Sequence, residues 1–130
     1  MAHVLETGFE ILHSENPNGS PSVKGYNIVN GELRSASDGE TFESRNPAWL
    51  EDCLGEFPQS TKQDVHDALH AAREAFAGWS VTPAPTRGQI IGNMGRLLAE
   101  YKDDIVRVET REIGKTLKES AGSVQEAIDT

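Results

Sequence analysis

His66, His70 and Glu74 recur at four-residue steps. On a helix, that HxxxHxxxE spacing stacks two imidazoles and a carboxylate along one face, an arrangement able to hold a divalent cation. The same residues lie opposite an apolar stripe, so the reading preferred here is a solvated polar face. Cys53 would act as a nucleophile only beside an oriented base. Its neighbours Glu51, Asp52 and Glu56 disfavour a thiolate, which leaves it structural or incidental. Gly88, Gly92 and Gly95 do not directly follow a strand and fit neither a dinucleotide loop nor a P-loop. Close helix packing explains them more simply. Glu109, Glu112 and Glu119 flank a helix break and suit caps, a cation site or solvated charge. Residue chemistry by itself composes no active site.

Short β elements come first among the segments that must position these residues. Residues 1–25 end in SENPNGSPSVKG, whose turn-forming composition predicts a flexible extension. From Tyr26 the chain alternates apolar and polar residues around Asn30-Gly31, a pair suited to the positive φ angles of a tight hairpin. Ser37-Asp38-Gly39 marks a second turn, so two or three short antiparallel strands are expected across 26–46. Residues 47–61, with Trp49, Leu50, Leu54 and Phe57, read as a partly buried extended connection.

Four helices follow. Ser60/Gln63 and Thr61/Asp64 both have capping-box spacing ahead of a helix at about 62–79. Its apolar stripe is Val65, Ala68, Leu69, Ala72, Ala75, Phe76 and Trp79. TPAPTRG breaks that helix, and Thr86/Gln89 is expected to cap the next, about 87–101. A third helix spans 103–113, with Gly114 at its left-handed end and Lys115 against the negative dipole end. Thr116/Glu119 opens a fourth at 117–130. Val65, Leu69, Phe76 and Trp79 are expected to meet Ile90, Met94, Leu97 and Leu98. The last helix, with Val124 and Ile128, has no expected partner and should fray. Its periodicity runs to Thr130 with no Gly or Pro terminator, as in a chain cut within a helix.

Composition limits the function classes. The chain has 130 residues, 12 Lys and Arg against 21 Asp and Glu, and a net charge of −9. Such a balance repels a phosphate backbone, and the basic residues are scattered singly, so no nucleic-acid partner is expected. Only five of the basic residues are Lys, which also suits a salt-adapted surface. No apolar run is long enough for a membrane span. The first 20 residues lack a basic region followed by an apolar one, so a secretory leader is not expected. One cysteine fits a reducing compartment, and a cytoplasmic location is expected.

From about residue 26 the order of segments resembles the N-terminal part of the aldehyde dehydrogenase superfamily. Four pieces carry the likeness: YNIVNGELRSASDGETFESRNPA, GEFPQSTKQDVHDALHAAREAFAGW, TPAPTRGQIIGNMGRLLAE and TREIGKTLKESAGSVQEAID. The last is most similar to members that oxidise semialdehydes. The resemblance implies an α/β fold: an N-terminal β-hairpin plus helices of a Rossmann-like NAD(P)-binding domain, truncated and mostly α in this segment, over 26–130. It also implies a parent that oxidises an aldehyde with NAD or NADP and forms a homodimer or homotetramer. The family's nucleophilic Cys, general-base Glu, oxyanion-binding Asn and nucleotide-contacting residues all lie beyond position 130, and Cys53 does not match the nucleophile. In some members a backbone carbonyl and an acidic side chain hold a monovalent cation, which would place Arg45 and Glu112 there. The helix after the Gly-Lys pair lines the substrate entrance, which points to Ser123 and Ala127. Ser123 stands where the aminoadipate-semialdehyde branch has an acidic residue, which argues against an amino-bearing substrate. The chain alone is then an inactive N-terminal fragment. The rival readings are a free-standing acidic helical module that binds a partner, and a small metal-binding protein using His66 and His70.

Overall fold

The computed structural model describes residues 24–130. The expected flexible extension lies outside the described residues except for Lys24 and Gly25, and these two are attached to the sheet. Gly25 donates its backbone N–H to the Glu56 carbonyl at 2.7 Å. A Cβ at Gly25 would overlap the Phe57 ring, so only glycine permits this approach. Strands β1 (Asn27–Val29) and β2 (Glu32–Arg34) form the expected hairpin. Asn30 and Gly31, at φ 53° and 77°, supply the left-handed pair that a two-residue turn needs.

Strand β3 (Thr41–Arg45) does not extend that hairpin. It pairs antiparallel with β4 (Cys53–Pro58), placing Phe42 opposite Phe57 with ring centroids 6.0 Å apart. Residues 53–58, expected as a connection, are thus a strand. Cys53, Leu54 and Gly55 are consecutively buried, and a run buried on both faces has no alternation to reveal it. Both sheets are antiparallel and two-stranded.

Helix α1 (Lys62–Val81) starts at a capping box: Thr61 accepts from the Asp64 amide, and Asp64 accepts from the Thr61 amide at 2.7 Å. Helix α2 (Ala84–Glu100) departs from expectation, because its N-cap is Pro83 and Thr86 lies within the first turn rather than capping it. Pro85 can sit there because the first helical N–H groups have no intrahelical acceptor. Helix α3 (Lys102–Ile113) ends at Gly114, φ 76°. A side chain there would also press on the Pro47 ring. Helix α4 (Leu117–Asp129) starts at the Thr116/Glu119 capping box.

The packing inverts one expectation. Helix α4, expected to fray, lies along α3 and α2 with Ser120 and Val124 buried. The Thr110 hydroxyl donates to Ser120 Oγ at 3.0 Å, and Val106 is buried on α3. Gly95 alone of the three glycines in α2 meets a neighbouring helix, since its Cβ would stand 3.6 Å from the Ile128 carbonyl; Gly88 and Gly92 face open space. Helices α1 and α2 bury no residue. Val65, Leu69, Phe76 and Trp79 are exposed, as are Ile90, Met94 and Leu97. The two stripes are therefore not buried against each other.

The unfolding energies of the chain should reflect that inversion. Val124→Ala removes two buried methyl equivalents and should cost about 1–2 kcal/mol. Leu69→Ala, on the uncovered stripe, should stay within about 0.5 kcal/mol. Urea titrations of the two variants check this.

Candidate functional site

The strongest polar constellation joins the loop between β3 and β4 to the end of α3. Arg111 donates from Nη2 to Asp52 Oδ1 at 2.7 Å and from Nε to Oδ2 at 3.1 Å. Asn46 Nδ2 adds a bond to Oδ2 at 3.0 Å. The loop closes its own backbone around this carboxylate: the Asp52 amide donates to the Trp49 carbonyl, and the Asn46 amide to the Asp52 carbonyl. The Asp52 side chain is 10% exposed and that of Arg111 26%. Arg111's hydrogen bonds hold the Asp52 carboxyl below its ordinary value of 3.8, against the opposing effect of burial. Sequence reading took Asp52 only as an acidic neighbour of Cys53, and no local spacing announces a partner 59 residues away.

Arg45, at the end of β3, turns its guanidinium to Glu43 at 2.6 Å and to the Leu50 carbonyl at 3.0 Å. Glu112 is exposed on the last turn of α3. The clasp ties Arg111, which precedes Glu112, to the loop that follows Arg45. Ser123 and Ala127 stand one turn apart on α4. Lys115 fixes the first of them, donating to Ser123 Oγ at 3.1 Å and to Glu109 Oε1 at 2.9 Å. Glu119 is engaged as a cap, and its bonds from Thr116 lower its pKa. Glu109, Glu112 and Glu119 thus take three different settings.

His66, His70 and Glu74 do share a face of α1, and all three are exposed, His66 with 75% of its side chain open to solvent, as expected of a solvated polar face. It lines an open cleft of about 460 Å³ against the β1–β2 hairpin, opposite Val29, Asn30 and Arg34. The apolar stripe on the other side is exposed as well. Among the described residues no three His, Cys, Asp or Glu side chains gather to hold a metal ion. The start of α1 is held over the hairpin by Asn27, whose Nδ2 donates to Ser60 Oγ at 2.9 Å. Asp64 also accepts from the Ser37 amide at 3.0 Å. Cys53 is fully buried in β4 rather than placed in a loop, with Sγ 4.0 Å from the Gly55 carbonyl. No described helix is long and apolar enough to cross a membrane.

The aldehyde dehydrogenase family pattern matches residues 34–130. An alpha-ketoglutarate semialdehyde dehydrogenase from Haloferax volcanii is 42% identical over 103 residues, covering 79% of this chain and 21% of that protein. A malonate-semialdehyde dehydrogenase from Geobacillus kaustophilus is 37% identical over the same shares. The chain therefore spans about a fifth of the length of the curated relatives it matches. Among solved structures, an NADP-dependent enzyme from E. coli superposes with a TM-score of 0.77 at 33% identity, over 81% of this chain and 22% of that one. An NAD-dependent aldehyde dehydrogenase from Sinorhizobium meliloti shares the fold at a TM-score of 0.80 and 23% identity, over 89% and 24%.

The clasp carries a pH dependence whose sign is set by Asp52. Its folded pKa lies below the unfolded value, so its contribution is complete above the ordinary carboxylate range and is lost as pH falls through the folded value. Asp52→Asn, which takes the carboxylate charge away from the Arg111 guanidinium, should cost about 3 kcal/mol at pH 7. It should also flatten the loss of stability below about pH 4. Urea unfolding between pH 3 and 7 checks both.

Proposed function

The chain belongs to the aldehyde dehydrogenase family, and we propose that it is the N-terminal segment of an NAD(P)-dependent enzyme that oxidises a semialdehyde to the acid. The observation that carries this reading is the 42% identity to a semialdehyde dehydrogenase of which the chain spans 21%. A second semialdehyde dehydrogenase at 37% supports the same substrate class, an aldehyde that also bears a carboxylate.

By itself the segment is inactive. A dinucleotide site needs a glycine-rich turn between a strand and a helix, so that backbone amides can approach the pyrophosphate. Here β4 passes into α1 through Gln59, Ser60 and Thr61, and Gly88 and Gly92 lie inside a helix. The residues present do not fit the cofactor, so NAD or NADP would be held by the rest of the parent. Cys53 is buried within a sheet, where a substrate carbonyl has no path to its sulfur. This segment positions other groups. The Arg45 carbonyl and the Glu112 carboxylate would hold a monovalent cation beside the Asp52–Arg111 clasp. Ser123 and Ala127 would line the substrate entrance, with Lys115 holding the Ser123 hydroxyl in place. The parent would be a cytoplasmic homodimer or homotetramer.

Expression of the reading frame continued past codon 130 tests the proposal. The longer product should form NAD(P)H from malonate semialdehyde or a related semialdehyde, while the pure 130-residue chain should form none. Turnover by the 130-residue chain, or a longer product that oxidises no aldehyde, would overturn it.

A further inference from the structure

We propose that His66 and His70 form a two-imidazole surface chelate for one divalent transition-metal ion of the zinc class, in the cleft between α1 and the β1–β2 hairpin. The site goes beyond the aldehyde chemistry proposed above and uses none of the residues named there.

Helix geometry supplies the chelate. Residues four apart on an α-helix stand one turn above each other, with Cβ atoms about 5–6 Å apart. Zinc binds imidazole nitrogen at about 2.0–2.1 Å, so two rings leaning from such positions reach one ion between them. Paired histidines at this spacing do so in zinc-binding helices. Here the spacing is rigid, because both residues lie inside a 20-residue helix whose first turn is fixed by the Thr61/Asp64 capping box. Both histidines line the cleft and both are exposed, so an ion with its waters reaches the ring nitrogens without disturbing any packed side chain.

The surroundings suit a cation. Asp67 Oδ1 stands on the Nδ1 side of the His66 ring, 3.9 Å away, and Gln63 Nε2 holds that oxygen at 2.7 Å. A carboxylate there favours the proton on Nδ1 and leaves Nε2 for the metal. The cleft lining carries two carboxylates, Asp67 and Glu74, against one cation, Arg34, which Glu32 already engages at 2.7 Å. The chain's −9 charge adds to the attraction. Among the described residues no third His, Cys, Asp or Glu joins the pair, so water completes the shell. Imidazole ligands select zinc, copper or nickel, whereas magnesium and calcium take oxygen.

Calorimetric titration of zinc chloride into the untagged 130-residue chain tests the site. We expect one zinc per chain at about pH 7.5, where the ligands are deprotonated, and no binding of magnesium chloride. His66→Gln and His70→Gln should each weaken zinc binding at least about tenfold, since even an outer-shell partner is worth about that much. His70→Gln combined with Ala71→His keeps the number of histidines but shifts the second ring about 100° around the helix, and it should lose as much affinity. Helix content by circular dichroism should stay unchanged in all three, because His66 and His70 are exposed. His3→Gln with His13→Gln should bind zinc like the wild type. A wild-type chain without saturable zinc binding would overturn the proposal. So would wild-type affinity in any of the first three variants, or loss of binding in the His3 and His13 variant.

Discussion

A carboxylate cannot stay ionised in a nearly closed setting without a partner, and Asp52 has one only because Arg111 arrives from the far end of α3. The guanidinium fork matches the two carboxylate oxygens, and Asn46 takes one of the remaining acceptor sites. If α3 moved away, the Asp52 carboxylate would lose its guanidinium partner in a nearly closed setting, at a cost of several kcal/mol. The β3–β4 unit and α3 therefore hold together or separate together. Gly114 adds a second contact on the same side, where only a residue without Cβ lets the helix end meet Pro47. Through Val106 and the Thr110–Ser120 bond, α3 then fixes α4, and α4 gives α2 its one close backbone approach at Gly95.

The rest of the molecule follows a different logic. Helix α1 is held to the hairpin by hydrogen bonds at its N-terminus, and its large apolar residues contribute little to the stability of this chain. Exposed hydrogen bonds are each worth about 1 kcal/mol net, whereas burying one large apolar side chain would be worth about 1.5–3 kcal/mol. Much of the apolar surface in α1 and α2 is therefore still available for contact.

Features set by local geometry were legible from residue order. Asn30-Gly31 announces its hairpin because two adjacent positive φ angles suit few other pairs. Thr61/Asp64 and Thr116/Glu119 announce helix starts through reciprocal side-chain bonds, and Gly114 a helix end. Nonlocal features were not. Strand β4 hides in a run without alternation, the Asp52–Arg111 pair spans 59 residues, and the burial of α4 depends on how α3 turns at Gly114. The stripes on α1 and α2 are apolar faces, as their periodicity predicts, but they are not buried against each other. Periodicity reveals that a face needs a partner and carries no information about which one. At the candidate site, Arg45, Glu112, Ser123 and Ala127 came from resemblance, while the Lys115 bonds that hold Ser123 required coordinates.

The central claim is that the Asp52–Arg111 pair unites the sheet and the helices, and a double-mutant cycle with Asp52→Asn and Arg111→Met measures it directly. Urea unfolding of the wild type, both single variants and the double variant gives the coupling energy. The structure predicts about 2 kcal/mol or more, with the double variant little worse than either single one. A coupling energy near zero, with additive losses, would contradict it and reduce the contact to an incidental surface pair.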